Sequence, residues 1–450
     1  MSIDNRRLLR LIGMASLIAV IATAALTWRT PSLTDAVNGP VAVGAVAVGE
    51  SSSGNAEIKI LAVAPDRGEP RTTRLVYLEQ IVDRHRRNPA TVPGIYADAL
   101  LSLADVRIQV HRAAGAQEAI ETVRQLVPDA EAWQNREAGL LQQELRAWEE
   151  FDDQQQQRLR RDRLTHRERA LRLYAAGNYS DAVIAARQAV ALQRQVLSSE
   201  SEPASASDRA RLADELLLLG RLALEQSVSY PEAESILKEA RELCVDVRGP
   251  NHPIFSEILT ALAVVDEDRG NFESANGLYE EALQVLLQTR GEQSLEYAHT
   301  LARQGRLHLT WWKDFAIGKC LRAQQIREQI VGHDHPDYAE SLEDLAMLAI
   351  NLFDFKRGEE LANQALSIRR AAQGIDHPEL AEALSSLAIC STERGNLAQA
   401  LVYQRQAIRL CEGARGSVHP LSARYQLDLA LRYDADYDFS RSYRMFDQCL

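Results

Sequence analysis

The stretch that decides the fold is Arg248-Gly249-Pro250-Asn251-His252-Pro253, because it returns. It reappears as Val331-Gly332-His333-Asp334-His335-Pro336, as Gln373-Gly374-Ile375-Asp376-His377-Pro378 and as Arg415-Gly416-Ser417-Val418-His419-Pro420. Arg290-Gly291-Glu292-Gln293 keeps phase between the first two without the His-Pro. The glycines stand at 249, 291, 332, 374 and 416, so a unit of about 42 residues repeats. In each unit the glycine suits the left-handed cap that ends a helix. The proline a few residues on suits the first turn of the next helix, where its missing N–H costs nothing.

The interior of each unit agrees. The first helix carries Leu259, Leu262 and Ala263, then Leu342, Leu345 and Ala346, then Leu384, Leu387 and Ala388. A turn such as Gly270-Asn271-Phe272, Asp354-Phe355 or Gly395-Asn396-Leu397 follows. The second helix has small residues seven apart: Ala233 and Ala240, Ala275 and Ala282, Gly358 and Ala365, Ala400 and Ala407, Ser442 and Cys449. Small residues two turns apart let helices approach closely. A hairpin of this kind cannot bury its apolar face alone and must stack on its neighbours. Gly177-Asn178-Tyr179 with Ala182 and Ala189 extends the pattern more loosely, before a polar insertion at Ser198–Asp208. The unit from Leu295 departs most. Gly305 falls in its first helix, Trp311-Trp312 crowd its turn, and its second helix reads two residues short, so an irregularity is expected there.

These motifs together, Gly-x-x-His-Pro, Leu-x-x-Leu-Ala and Ala-x6-Ala, resemble the 42-residue tetratricopeptide repeats (TPRs) of the kinesin light chain family over about residues 165–450. The resemblance implies an all-α fold, a right-handed α-solenoid whose inner groove binds peptides or partner proteins. The coiled coil with which that family meets the kinesin heavy chain has no counterpart in this sequence. Projecting the family's groove positions onto the first helices gives Asp214, Arg221, Glu225, Glu257, Thr260, Asp268, His299, Arg306, Glu340, Glu343, Asn351, Glu382, Ser385, Glu393, Arg424 and Asp434, interspersed with apolar Leu217, Met347, Ile389, Leu427 and Leu431. Acids outnumber bases, which departs from grooves that grip a C-terminal carboxylate. The expected partner is therefore a basic or amphipathic segment. First-turn acids such as Glu257, Glu340 and Glu382 also have a plainer reading, as favourable charges at helix N-termini.

Outside the repeat, Arg6, Arg7 and Arg10 precede an uncharged run from Leu11 to Trp28. At 1.5 Å per residue it would span roughly 27 Å, close to a bilayer core of about 30 Å. The reading is a single-pass membrane anchor over 1–29 with the rest outside the cytoplasm, or a signal peptide cleaved near Ala22-Thr23-Ala24; the arginine pair also resembles a twin-arginine export signal. Residues 30–72, rich in Gly, Ala, Val and Ser, read as a flexible tether. Residues 73–164 read as a degenerate hairpin followed by one long charged helix, from about 131 to 175, with Arg158, Arg160, Arg161 and Arg163 on a solvated face or, alternatively, forming a basic patch for a partner.

Composition narrows function. Among 450 residues the net charge is −12, which argues against a general nucleic-acid binder. Cys244, Cys320, Cys390, Cys411 and Cys449 form no CxxC pair, so no zinc knuckle or disulfide framework is expected, and they read as small packing residues. The recurring histidines read as turn residues, too far apart to share a metal. No phosphate-binding loop, His-Glu-x-x-His helix or nucleophile elbow occurs, so no catalytic residue, metal or cofactor is assigned. The leading reading is a protein-interaction scaffold and not an enzyme. The alternatives are an exported enzyme with its site in 73–165 or near Trp311, and an assembly protein that self-associates through its C-terminal repeat.

Overall fold

The computed structural model describes residues 71–442, apart from 88–92, 111, 130–131, 151–153, 199–204, 227–229, 310–312, 418, 436–437 and 439. Every regular element among the described residues is a helix. A first block comprises α1 (Arg71–Arg87), α2 (Pro93–Gln109), α3 (Ala113–Leu126) and α4 (Trp133–Glu150). Six hairpins follow: α5 (Gln154–Ala175) with α6 (Tyr179–Leu197), α7 (Ala206–Leu224) with α8 (Tyr230–Val247), α9 (Pro253–Asp268) with α10 (Phe272–Thr289), α11 (Leu295–Leu307) with α12 (Lys313–Val331), α13 (Pro336–Asn351) with α14 (Phe355–Gln373), and α15 (Leu380–Glu393) with α16 (Leu397–Arg415). α17 (Pro420–Ala435) opens the next. Each helix packs mainly on the one before it and the one after it, as stacked repeats require.

The repeat chemistry does what its residue types dictate. Gly249, at φ +83°, donates its N–H back to the Cys244 carbonyl (3.1 Å) and closes α8. His252, His335, His377 and His419 then act as N-caps: each ring Nδ1 accepts the backbone N–H two residues on, at 3.1–3.3 Å. Leu259, Leu342 and Leu384, with Ala263, Ala346 and Ala388, are buried in the repeat core. The seven-apart pairs Ala233/Ala240, Ala275/Ala282, Gly358/Ala365 and Ala400/Ala407 are buried at crossings. A Cβ on Gly358 would stand 3.0 Å from Ile350 Cγ1 and 3.3 Å from Cys390 Sγ, so the helices meet too closely for a larger residue.

Four expectations need correction. The single-pass membrane placement is not retained, because among the described residues no helix is long and apolar enough to cross a membrane. The run Leu11–Trp28 on which it rested, and residues 30–70 of the tether read over 30–72, lie outside the described residues, while the tether's last two, Arg71 and Thr72, open α1. The long charged helix from 131 to 175 is two helices, α4 and α5, and α5 is the first helix of a hairpin. Its arginines are not on a solvated face throughout. Arg160 pairs with Asp208 (3.0 Å) and Arg163 with Glu215 (3.5 Å), both buried against α7. The fourth concerns the irregular unit. Its shortened helix is the first, α11, at 13 residues, while α12 has 19. Gly305 sits where a Cβ would meet Cys320 Sγ at 2.8 Å.

The solenoid also touches itself after a full superhelical turn. Arg415 Nη2 reaches Glu225 Oε2 (2.6 Å) and its guanidinium lies 4.7 Å over the Tyr179 ring. His377 Nε2 lies 3.3 Å from the Ala175 carbonyl and His419 Nε2 3.4 Å from the Leu224 carbonyl. These partners are 190–202 residues apart in sequence. The first block docks on the same kind of loop. Arg248 donates to Glu137 (2.9 Å), His252 Nε2 lies 3.4 Å from it, and Arg290 pairs with Asp98 while stacking 5.0 Å over Trp133.

Candidate concave interaction surface

The first helices α7, α9, α11, α13, α15 and α17 carry the projected groove residues, and the structure gives almost all of them intramolecular partners. Asp214 accepts from Arg248 (2.8 Å). Arg221 donates to Glu257 (3.2 Å). Glu225 takes the cross-turn bond from Arg415. His299 faces Glu340 at 3.8 Å, and Glu340 accepts from Arg327 (3.0 Å). Arg306 lies 3.3 Å from Asp344. Glu343 is clamped by Arg369, Nε to Oε1 and Nη2 to Oε2, both at 2.7 Å. Glu382 accepts from Arg424 (3.0 Å) and from the Tyr425 hydroxyl (3.1 Å). Asn351 donates to the Met347 carbonyl of its own helix.

Two projected residues point into the packing. Thr260 is buried against Thr300 of the next first helix (3.2 Å), and Ser385 is buried against Gln404 (3.4 Å). Asp268, Glu393 and Asp434 are the exposed carboxylates of the set. Asp268 accepts from the Tyr230 hydroxyl.

The sequence projection passed over the cations that second helices send toward this surface: Arg248, Arg327, Arg369 and Arg415. A signal for two of them was present, since Arg248 and Arg415 each stand immediately before the cap glycine. Arg290 occupies the same place.

Electrostatics follow from this crowding. Burial pushes Glu343 up to about 7, with Glu382 and Glu379 adding to the push and Arg369 opposing it. Burial likewise raises Asp344 to about 6 beside Glu340, against the pull of Arg306. Glu257 and Asp428 move up for the same first reason, burial, with nearby carboxylates reinforcing it, and Asp268, exposed at its edge but partly covered at its carboxyl, moves up as well, with Glu267 and Glu225 adding to the push. Glu340 goes the other way. Burial would raise it, but Arg327, His299, Arg306 and Arg303 outweigh that and hold it well below the usual carboxylate range. Opposite walls of the surface are within electrostatic reach. Glu225 on α7 is held down mainly by Arg415, with a further contribution from Arg303 on α11.

No group of His, Cys, Asp and Glu among the described residues could hold a metal ion. Cys244, Cys320, Cys390 and Cys411 are buried, and burial pushes the Cys244 and Cys390 thiols up to about 12. Shallow, open depressions lie beside Glu79, Arg107 and Arg112 on α1–α3 and beside Arg405, Glu412 and Gln426 on α16–α17. Neither lining contains a serine, cysteine or histidine nucleophile.

Residues 212–288 and 346–413, and separately 169–202, match the tetratricopeptide repeat family. Among solved structures the chain is similar to the nearly identical TPR-like repeats of a kinesin light chain candidate from Podosopora anserina (19% identity, 44% of this chain, 94% of that one, TM-score 0.35). It is also similar to a Rap protein complexed with competence and sporulation factor (12%, 79%, 97%, 0.50). A third is the Rap conjugation gene regulator of plasmid pLS20 in complex with the Phr* peptide (12%, 79%, 96%, 0.50). At these identities the likeness is one of fold. No curated protein matches the chain by sequence.

Proposed function

Because the chain carries tetratricopeptide repeats, of the kind kinesin light chains also carry, we propose that it is a protein-interaction scaffold, not a catalyst, and that its concave face receives an extended segment carrying basic and apolar side chains. The observation that carries this is the composition of that face. Burial raises the proton affinity of Glu257, Asp268, Glu343, Asp344 and Asp428, and neighbouring carboxylates add to the push (Glu382 on Glu343 and Asp428, Glu340 on Asp344, Glu225 on Asp268, Glu296 on Glu257), even though arginines engage several of them. A lysine or arginine from a ligand would relieve that crowding, and a carboxylate would add to it. Exposed Leu427 and Leu431 on α17 supply apolar contact at one end. The two Rap structures, bound to competence and sporulation factor and to the Phr* peptide, are consistent with a peptide on such a fold.

The expectation of a basic or amphipathic partner thereby narrows. Arg221, Arg306 and Arg424 share the surface with the acids, so a segment of mixed character fits better than a purely basic one. The test is fluorescence anisotropy on the full chain with a twelve-residue labelled peptide alternating Lys and Leu, against the same peptide with Glu for Lys. The Lys peptide is expected to bind and the Glu peptide not. Asp268→Asn with Glu393→Gln, which removes charge without breaking an arginine pair, is expected to weaken the Lys peptide severalfold. Equal binding of both peptides, or none of either, overturns the reading.

A further inference from the structure

The loops that begin the repeats do more than cap helices. His377 and His419 each use both ring nitrogens: Nδ1 accepts from the N-terminus of its own helix, and Nε2, left with the proton, donates to the last carbonyls of an early first helix. Arg415, from the same loop as His419, adds an ion pair to Glu225. Pro378 seats against Gly177, at φ +74°, so closely that a Cβ on that glycine would fall 2.4 Å from Pro378 Cδ. α6 and α16 therefore meet across the superhelical turn. The seam thus joins successive turns at the edge of the concave face, and Glu225, one of the acids projected onto that face, is held in it by Arg415.

We propose that this seam, formed by the His-Pro loops ahead of α15 and α17 against the ends of α5 and α7, is a latch on the concave surface, and that ligand binding there is limited by its release. This rests on the concave-face reading above. With the latch closed in most molecules, the apparent affinity and association rate of a ligand are reduced by the fraction open.

A matched glycine pair tests it. Gly177→Ala places a methyl group into Pro378 and wedges the seam. Gly270→Ala sits at the same turn position with φ +80° and has nothing within 4 Å of the added atom, so it carries the backbone strain alone. Nitroxide labels at Ile184→Cys and Val402→Cys, exposed positions on α6 and α16, report the inter-turn distance in the full chain on a Cys449→Ser background. The described native cysteines are buried and do not compete for label.

The expected result is a lengthened distance in Gly177→Ala, with the Lys-Leu peptide associating about tenfold faster; Gly270→Ala should change neither. Arg415→Gln, which leaves the glycine turn intact, is expected to move both readouts in the same direction. An unchanged distance in both seam variants overturns the latch. A lengthened distance with unchanged association overturns its control of binding. If the peptide binds no protein at all, the concave-face reading fails and control of binding with it, while the distance still decides whether the seam opens.

Discussion

Glu343→Ala is expected to destabilise the centre of the solenoid, and to do so chiefly through Arg369. Both side chains are buried, and the guanidinium is held by two 2.7 Å bonds to Glu343 and one 2.5 Å bond from Nη1 to Glu379. Removing Glu343 leaves a buried cation with one carboxylate, itself about a third exposed. Breaking a buried ion pair from one side costs about 3–5 kcal/mol, and the remaining Glu379 contact places this case near the lower end. Replacing both partners by apolar residues of similar length removes the stranded charge, so Glu343→Met with Arg369→Met is expected within about 1 kcal/mol of the parent.

Stacked repeats open locally, so the appropriate assay is hydrogen exchange of peptides from α13 and α14. A loss of about 3 kcal/mol corresponds to exchange faster by about a hundredfold in the single variant. The reasoning is refuted if the single variant exchanges like the parent, or if the double variant is worse than the single. The same logic bears on any test of binding. Substituting Glu340, Glu343 and Glu382 together by Ala would weaken partner capture by loosening α13 and α15, whatever those residues do for a ligand. That is why Asp268 and Glu393 are the informative positions.

Other outcomes follow from the caps and turns. Burial first, and nearby arginines second, hold His252, His377 and His419 below the ordinary imidazole value, despite Glu137, Asp214, Glu379 and Glu225. Their folded-state proton affinity is below that of the unfolded chain, so their contribution is complete above about pH 6.5 and is lost as the pH falls through the folded values. The spin-label distance should therefore lengthen on acidification, and His377→Asn with His419→Asn, which keeps a capping oxygen but cannot titrate, should flatten that response; an identical pH response in this variant would refute it. Phe353 sits at φ +62°, where the matching turns have Gly177, Gly270 and Gly395, and the residue is 63% exposed. Phe353→Gly should stabilise the α13–α14 hairpin by about 1 kcal/mol, seen as slower local exchange; faster exchange would show that the ring's contact with Phe355 outweighs the strain.

What the sequence made legible is what a repeat repeats. Gly249 and Pro253, Leu259 and Ala263, Ala275 and Ala282 are read correctly because each answers to contacts within a unit or with the adjacent one, and those contacts recur every 42 residues. The concave surface was half legible for the same reason. Position along a first helix predicts which face Glu340 or Glu382 occupies, but not that Arg327 arrives from a second helix to engage Glu340. The seam was illegible on different grounds. Whether Arg415 meets Glu225 depends on the small rotation between successive hairpins, summed over a whole turn. Non-repeating details set that sum, including the 13-residue α11 and the close approach at Gly305.

Yet the residues that use the seam were conspicuous. An arginine directly before the cap glycine occurs at 248, 290 and 415, and all three cross to an acid on an earlier element: Glu137, Asp98 and Glu225. Arg248 also pairs with Asp214 of its own hairpin, but in all three cases the arginine reaches an acid outside its unit. A charge at this repeating position is thus a pointer to contact beyond the unit; where Gln373 replaces it, the loop reaches the earlier turn through His377 and Pro378 instead.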